Sequence, residues 1–151
     1  MIPKNNKTIE NENEVSLPSV MILVGGLGNR IKDVLNDRPK ALAETDGMPF
    51  IDLQLKWLVN QGVREVILLV GHMSSQIISY IGNGKAWELN IQVIKEIKPL
   101  GTGGAVQNAL KELQTNKEFI LLNGDSLTEV SLVEFCSKQK DENSAHLVIV
   151  H

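Results

Sequence analysis

The sequence predicts a mainly parallel, three-layer α/β sheet, and three observations carry that expectation. Short apolar runs rich in branched residues recur at 20–24, 65–70, 90–95, 119–122 and 145–150, the length and composition of strands buried between two layers. Between them lie stretches with apolar residues at helical spacing, and such alternation joins parallel strands through helical crossovers. Glycine-rich or acidic turns follow three of the strands directly. That is the edge where open α/β sheets bind their ligands.

The first strand, 20–24, leads into Gly25, Gly26 and Gly28. Glycine lets the backbone take dihedrals closed to other residues, and a ligand can approach its main-chain N–H groups closely. Arg30 follows, then Lys40, past a polar loop closed by Pro39. Backbone donors beside two cations suit a polyanion such as a nucleoside triphosphate. Taken alone, the same residues also fit a tight strand-to-loop turn followed by two solvated surface charges.

A helix is expected over 49–62, with Ile51, Leu55, Leu58 and Val59 on one face, Pro49 in its first turn and Gly62 as its stop. The strand 65–70 ends at Gly71 and His72, and His72 reads as a loop residue. Ser74 or Ser75 is expected to cap a short helix through Ile77, Ile78 and Ile81, ended by Gly82 and Gly84. Trp57 and Trp87 read as packing residues.

The third strand, 90–95, precedes Glu96 and the run Pro99-Leu-Gly-Thr-Gly-Gly-Ala105, which opens a helix bearing Val106, Ala109, Leu110 and Leu113. Thr102 is the expected cap, leaving free N–H groups and the positive end of the helix dipole toward a ligand. Strand 119–122 runs into Asn123-Gly-Asp125. An aspartate there is placed to hold Mg²⁺, although Asp also favours plain turns and caps. Ser131 and Glu134 form a capping box for a helix with Leu132, Phe135 and Cys136 inward, and 145–150 is the fifth strand.

Composition narrows the partners. With 151 residues, 42% hydrophobic and 22% charged, the chain fits one ordinary globular domain. A net charge of -3 argues against a nucleic-acid footprint, so any positive site is local. One cysteine excludes an internal disulfide, and the three scattered histidines give no zinc spacing. No apolar run has the length of a membrane span, and the N-terminus lacks a signal-peptide core, so a cytoplasmic location is expected. Residues 1–17 read as a flexible polar arm and 18–151 as the nucleotide-binding domain. The stop on an apolar strand at His151 points to a truncated chain.

Four motifs in order, residues 23–30, 38–40, 99–105 and 123–125, resemble the sugar-1-phosphate nucleotidylyltransferases over about residues 19–151. The third and fourth are most similar in form to the heptose 1-phosphate guanylyltransferases, with mannose-1-phosphate guanylyltransferases next. The resemblance implies a Rossmann-like sheet of the nucleotide-diphospho-sugar transferase type. It also implies transfer of a nucleoside monophosphate to a sugar 1-phosphate with release of pyrophosphate, giving a nucleotide sugar for surface polysaccharide synthesis.

By the same resemblance, Arg30 and Lys40 hold the triphosphate and are the catalytic residues. Leu23, Gly25, Gly26, Gly28, Glu96, Gly101 and Thr102 contact the nucleotide, and Asp125 binds Mg²⁺. Glu96, as an acceptor facing the donors of guanine, favours GTP. Val24 stands where the family usually has alanine, and Glu44 adds negative charge near the phosphates. The family's second half, with a sugar-phosphate lysine and a second acidic metal ligand, has no counterpart in the chain.

Two functional classes stay open on the sequence: an enzyme, or a non-catalytic nucleotide-binding module that forms a homo-oligomer or joins a complementing subunit. A dinucleotide-binding oxidoreductase is disfavoured, because Gly25-Gly-Leu-Gly28 is not the Gly-x-Gly-x-x-Gly fingerprint and no helix follows it at once. A Walker A motif is also missing.

Overall fold

The computed structural model describes residues 17–26, 38–115 and 117–138. Four parallel strands form the main sheet in the order β5-β4-β1-β6: β1 (Ser19–Leu23), β4 (Glu65–Val70), β5 (Asn90–Lys95) and β6 (Phe119–Asn123). Register is set by Val20 lying between Val66 and Ile120, and Val66 pairing onward with Ile91. The chain builds outward from β1 through β4 to β5, then returns to lay β6 on the other side of β1. Connections therefore diverge at β1, the position at which such sheets open a ligand crevice.

Successive strand residues point to opposite faces, and each face has its own core. On one, Val20, Ile22, Val66, Leu68 and Val70 pack with Ile51, Leu55 and Leu58 of α1 (Phe50–Asn60), Ile77 and Ile81 of α2 (Ser74–Ile81) and Leu132 of α4 (Leu132–Ser137). On the other, Met21, Ile67, Leu69 and Ile94 meet Ala105 and Ala109 of α3 (Gly101–Leu113). Two small alanines let that helix lie close to the sheet. Helices on both faces make the expected three layers.

A two-stranded antiparallel hairpin, β2 (Glu44–Thr45) and β3 (Met48–Pro49), precedes α1. Its turn residues Asp46 and Gly47 both have positive φ, 53° and 76°, the conformation that joins twisted strands in two residues.

Within the described residues the expected elements are found with small shifts. β1 covers Ser19–Leu23 rather than 20–24, and Val24 extends the ladder only through its N–H to Leu69 O, 2.8 Å. α1 starts at Phe50, so Pro49 precedes the helix as its cap, and Gly62 follows it with φ 89°. Neither Ser74 nor Ser75 caps α2. Met73, left-handed at φ 56°, takes the cap position without a side-chain bond, and Ser74 is buried as the first helical residue.

Ser131 caps α4 as expected, its Oγ accepting from the Glu134 N–H at 3.3 Å. Strand β6 is less buried than its composition predicts: Ile120 is enclosed, but Leu121 is 38% exposed, because β6 is the outermost of the described strands. Leu17, assigned to the arm, packs against the core. Trp57, Trp87 and Cys136 pack on the core as partly buried residues. Burial, followed by the nearby Glu118 charge, pushes the Cys136 thiol above its ordinary range. The rest of the arm and the strand expected at 145–150 lie outside the described residues.

Candidate active site

The carboxyl ends of β1, β4, β5 and β6 open into one cleft of about 440 Å³, within the size range of small-molecule sites. The rim of this cleft is main chain. Three of the four strand exits donate an N–H to the neighbouring strand: Glu96 N to Val70 O (2.8 Å), Val24 N to Leu69 O (2.8 Å) and Gly124 N to Leu23 O (2.9 Å). The sheet ladder thus continues past the strands and fixes where the following residues begin.

Glycines permit that closeness. A Cβ on Gly124 would sit 2.5 Å from Leu23 O, and one on Gly25 would sit 3.1 Å from Gly71 N. Glu96 extends its carboxylate over this Gly25–Gly71 contact, with Oε2 3.4 Å from where a Gly71 Cβ would be. Gly101 opens α3 with φ 69°, a left-handed conformation that favours glycine, and Gly101 and Thr102 bring the start of that helix to the cleft wall.

Lys40 begins a short 3-10 turn, Lys40–Leu42, and its Nζ donates to Asp125 Oδ2 at 2.7 Å across the cleft. The Lys40 ammonium holds the Asp125 carboxyl below its ordinary range; partial burial opposes the shift without cancelling it. Asp125 therefore stays an anion through the physiological range, and Ser126 Oγ adds a 3.2 Å hydrogen bond to its Oδ1. The half-exposed pair leaves both charged groups open to a ligand.

Every described site candidate meets here: Leu23, Gly25, Gly26, Lys40, Glu96, Gly101, Thr102 and Asp125 all line the one cleft. Gly28 and Arg30 lie outside the described residues. One expectation is corrected: Thr102 does not cap α3, since the cap position is Leu100, with no side-chain bond, and Thr102 belongs to the first turn. Glu44 lies on β2 rather than in the cleft, and its charge is balanced by Arg38 at 3.3 Å. Val24 is 8% exposed, packs with the α1 core and also lines the cleft.

Among the described residues no cluster of three His, Cys, Asp or Glu side chains is present. One carboxylate nonetheless fits Mg²⁺, which commonly keeps several waters and takes its remaining ligands from substrate phosphates. Sequence reasoning missed Gln54, buried on α1 behind the Asp125 turn and bonded to it. Its signal was a polar residue on the stripe formed by Ile51, Leu55 and Leu58.

A parallel sheet whose crevice, at the point where the strand order reverses, collects a glycine turn, a lysine and an aspartate defines an α/β domain of the kind that binds ligands at that edge. The chain belongs to the nucleotidyl transferase family, whose model matches residues 19–151. It is 38% identical over 112 residues to a D-glycero-alpha-D-manno-heptose 1-phosphate guanylyltransferase of Aneurinibacillus thermoaerophilus, covering 74% of this chain and 48% of that protein. It is 32% identical over 136 residues to an N-acetylmuramate alpha-1-phosphate uridylyltransferase of Neisseria meningitidis, covering 86% and 58%.

The crystal structure of HddC from Yersinia pseudotuberculosis complexed with GMP-PN superposes with a TM-score of 0.71 at 36% identity, covering 80% of this chain and 53% of that one. The fold is therefore the nucleotide-diphospho-sugar transferase type, matched over part of the neighbour. The chain spans about half the length of the guanylyltransferase it matches.

Proposed function

We propose that this chain is the nucleotide-binding part of a sugar-1-phosphate guanylyltransferase, transferring GMP from GTP to a sugar 1-phosphate for surface polysaccharide synthesis. The observation that carries the reading is the meeting of Lys40 and Asp125, 2.7 Å apart, in the cleft that also holds Gly25, Gly26 and Glu96. The glycine turn offers backbone donors to the nucleotide, Lys40 and Arg30 neutralise its phosphates, Gly101 lies against the base and Thr102 contacts the nucleotide. Asp125 would hold Mg²⁺, which when bound supplies positive charge to the phosphate oxygens.

In the reaction an oxygen of the sugar 1-phosphate forms a bond to the α-phosphorus while the bond from that phosphorus to the β-phosphate bridging oxygen breaks. Pyrophosphate leaves with that electron pair. The attacking oxygen is already ionised, so no general base is required, and positioning with charge neutralisation accounts for the catalysis. An ionised Glu96 offers only acceptors, which match the N1–H and N2–H₂ donors of guanine. The relatives include a uridylyltransferase, so the test is direct competition. Pyrophosphate release with a sugar 1-phosphate and Mg²⁺ is expected with GTP ahead of UTP, dTTP and CTP; preference for another nucleotide would reject the GTP assignment.

The second reading is a non-catalytic nucleotide-binding module acting as a homo-oligomer or with a complementing subunit. Thermal stabilisation by GTP with no turnover would select it. Among the described residues no helix is long and apolar enough to cross a membrane.

A further inference from the structure

Helix α1 grips the segment that follows β6 at two points. Gln54, 1% exposed, donates both protons of Nε2, one to Asn123 O at 2.8 Å and one to Ser126 O at 3.0 Å. Seven residues later, nearly two helical turns and so on the same face, Gln61 Oε1 accepts from Leu132 N at 3.0 Å. Two side-chain amides, one on the helix and one at its C-cap, thus tie both ends of 123–132.

The two carbonyls held by Gln54 flank Asp125. Burying a primary amide is costly unless it is hydrogen-bonded, and Gln54 Oε1 has no partner among the described residues. A leucine would be the ordinary occupant of this apolar stripe, which also carries Ile51, Leu55 and Leu58. What the glutamine supplies, and a leucine cannot, is a pair of donors fixing the peptide units on either side of Asp125.

We propose that Gln54 is a positioning residue for Asp125: it locks the backbone of the turn so that the carboxylate faces Lys40 and the cleft. This rests on the proposed binding of a magnesium nucleotide at that cleft. Gln61 holds the far end of the segment and is not expected to aim Asp125.

The test uses Gln54→Met, of similar length and without donors, and Gln61→Met. Amide exchange at Gly124, whose N–H bonds Leu23 O, is expected to accelerate about tenfold in Gln54→Met, the scale of one lost hydrogen bond. Exchange along β4 should be unchanged, and Gln61→Met should leave Gly124 as it was. Unaltered exchange at Gly124, or equal acceleration throughout β1 and β4, would overturn the proposal.

Calorimetry supplies the second arm. Gln54→Met is expected to weaken GTP binding in Mg²⁺ about tenfold while leaving binding in EDTA as it was; equal weakening in both would contradict a role through Asp125. Should the unsubstituted chain bind no magnesium nucleotide, the functional reading falls and the exchange arm still decides on Gln54. If Gln54→Met does not fold, slow exchange of the Gln54 Nε2 protons in the unsubstituted chain supports the lock, and exchange at the free-amide rate refutes it.

Discussion

Lys40 Nζ and Asp125 Oδ2 lie 2.7 Å apart although 85 residues separate them in the chain. The lysine comes from the turn before the hairpin and the aspartate from the exit of β6, so their meeting depends on the whole sheet between them. With the two side chains 43% and 45% exposed, the pair is screened by water, and such pairs contribute on the order of 0–1 kcal/mol. Lys40→Met is therefore expected to shift the thermal midpoint by only a few degrees while lowering affinity for a magnesium nucleotide at least about tenfold. Calorimetry beside a melting curve checks both; wholesale unfolding would mean that the lysine is structural.

The same pair sets a pH dependence. The folded Asp125 carboxyl titrates below its unfolded value because the Lys40 ammonium favours the anion. Its stabilisation is thus present above the unfolded pKa, about 4, and disappears as pH falls through the lower folded value. Urea unfolding of the parent chain and Lys40→Met should differ at pH 7 and converge at the acid end. A gap that widens toward low pH would show the opposite linkage.

Gly124→Ala is expected to cost about 1–3 kcal/mol, the usual range for overpacking. The new methyl would lie 2.5 Å from Leu23 O, which is backbone and cannot swing aside. Denaturant titration measures the cost. A change below about 0.5 kcal/mol, the range of surface substitutions, would show that the two strand exits part easily.

Tyr80 is the chain's one tyrosine, and its hydroxyl donates to Asp52 Oδ2 at 2.8 Å. Burial first, then the hydrogen bond and the negative charge of Asp52, push the phenol up to about 12. Because the folded value is raised, the stability it reflects is complete below the unfolded value of about 10 and is lost as pH rises toward 12. Ultraviolet difference spectra of the folded chain should show little tyrosinate at about pH 10.5, and Asp52→Asn should bring ionisation lower. An unshifted parent curve would mean that the hydroxyl is free in solution.

Core depth supplies a fifth prediction. Leu58, fully enclosed on the inner face of α1, should lose about 2–5 kcal/mol on truncation to alanine. Leu121, 38% exposed on β6, should lose well under half of that. Equal costs at the two positions would require a cover over Leu121.

Much of this architecture was legible because its signals are local. The runs at 65–70 and 90–95 became strands with the expected limits, since branched residues bounded by polar ones leave little choice of ends. Caps were harder. Ser74 and Thr102 have capping side chains, yet the left-handed Met73 and the glycine at 101 place the helix starts elsewhere. Side-chain propensity is only one contribution to that competition.

The site was readable as motifs, because each candidate follows a strand and parallel strands end on one edge. What could not be read was distance: neither the Lys40–Asp125 contact nor the Gln54 bonds follow from spacing, as both close over long stretches of sequence. Burial of β6 was overestimated because composition does not reveal a strand's place in the sheet.

The backbone bonds that run from one strand exit to the next also determine what can change. Because Glu96, Val24 and Gly124 are registered through their own N–H groups, side chains mounted around that fixed rim can be exchanged like bits in a chuck. A library randomised at 96, 102 and 125 should yield mostly folded members, and new ligand preferences can be selected from it without redesigning the scaffold.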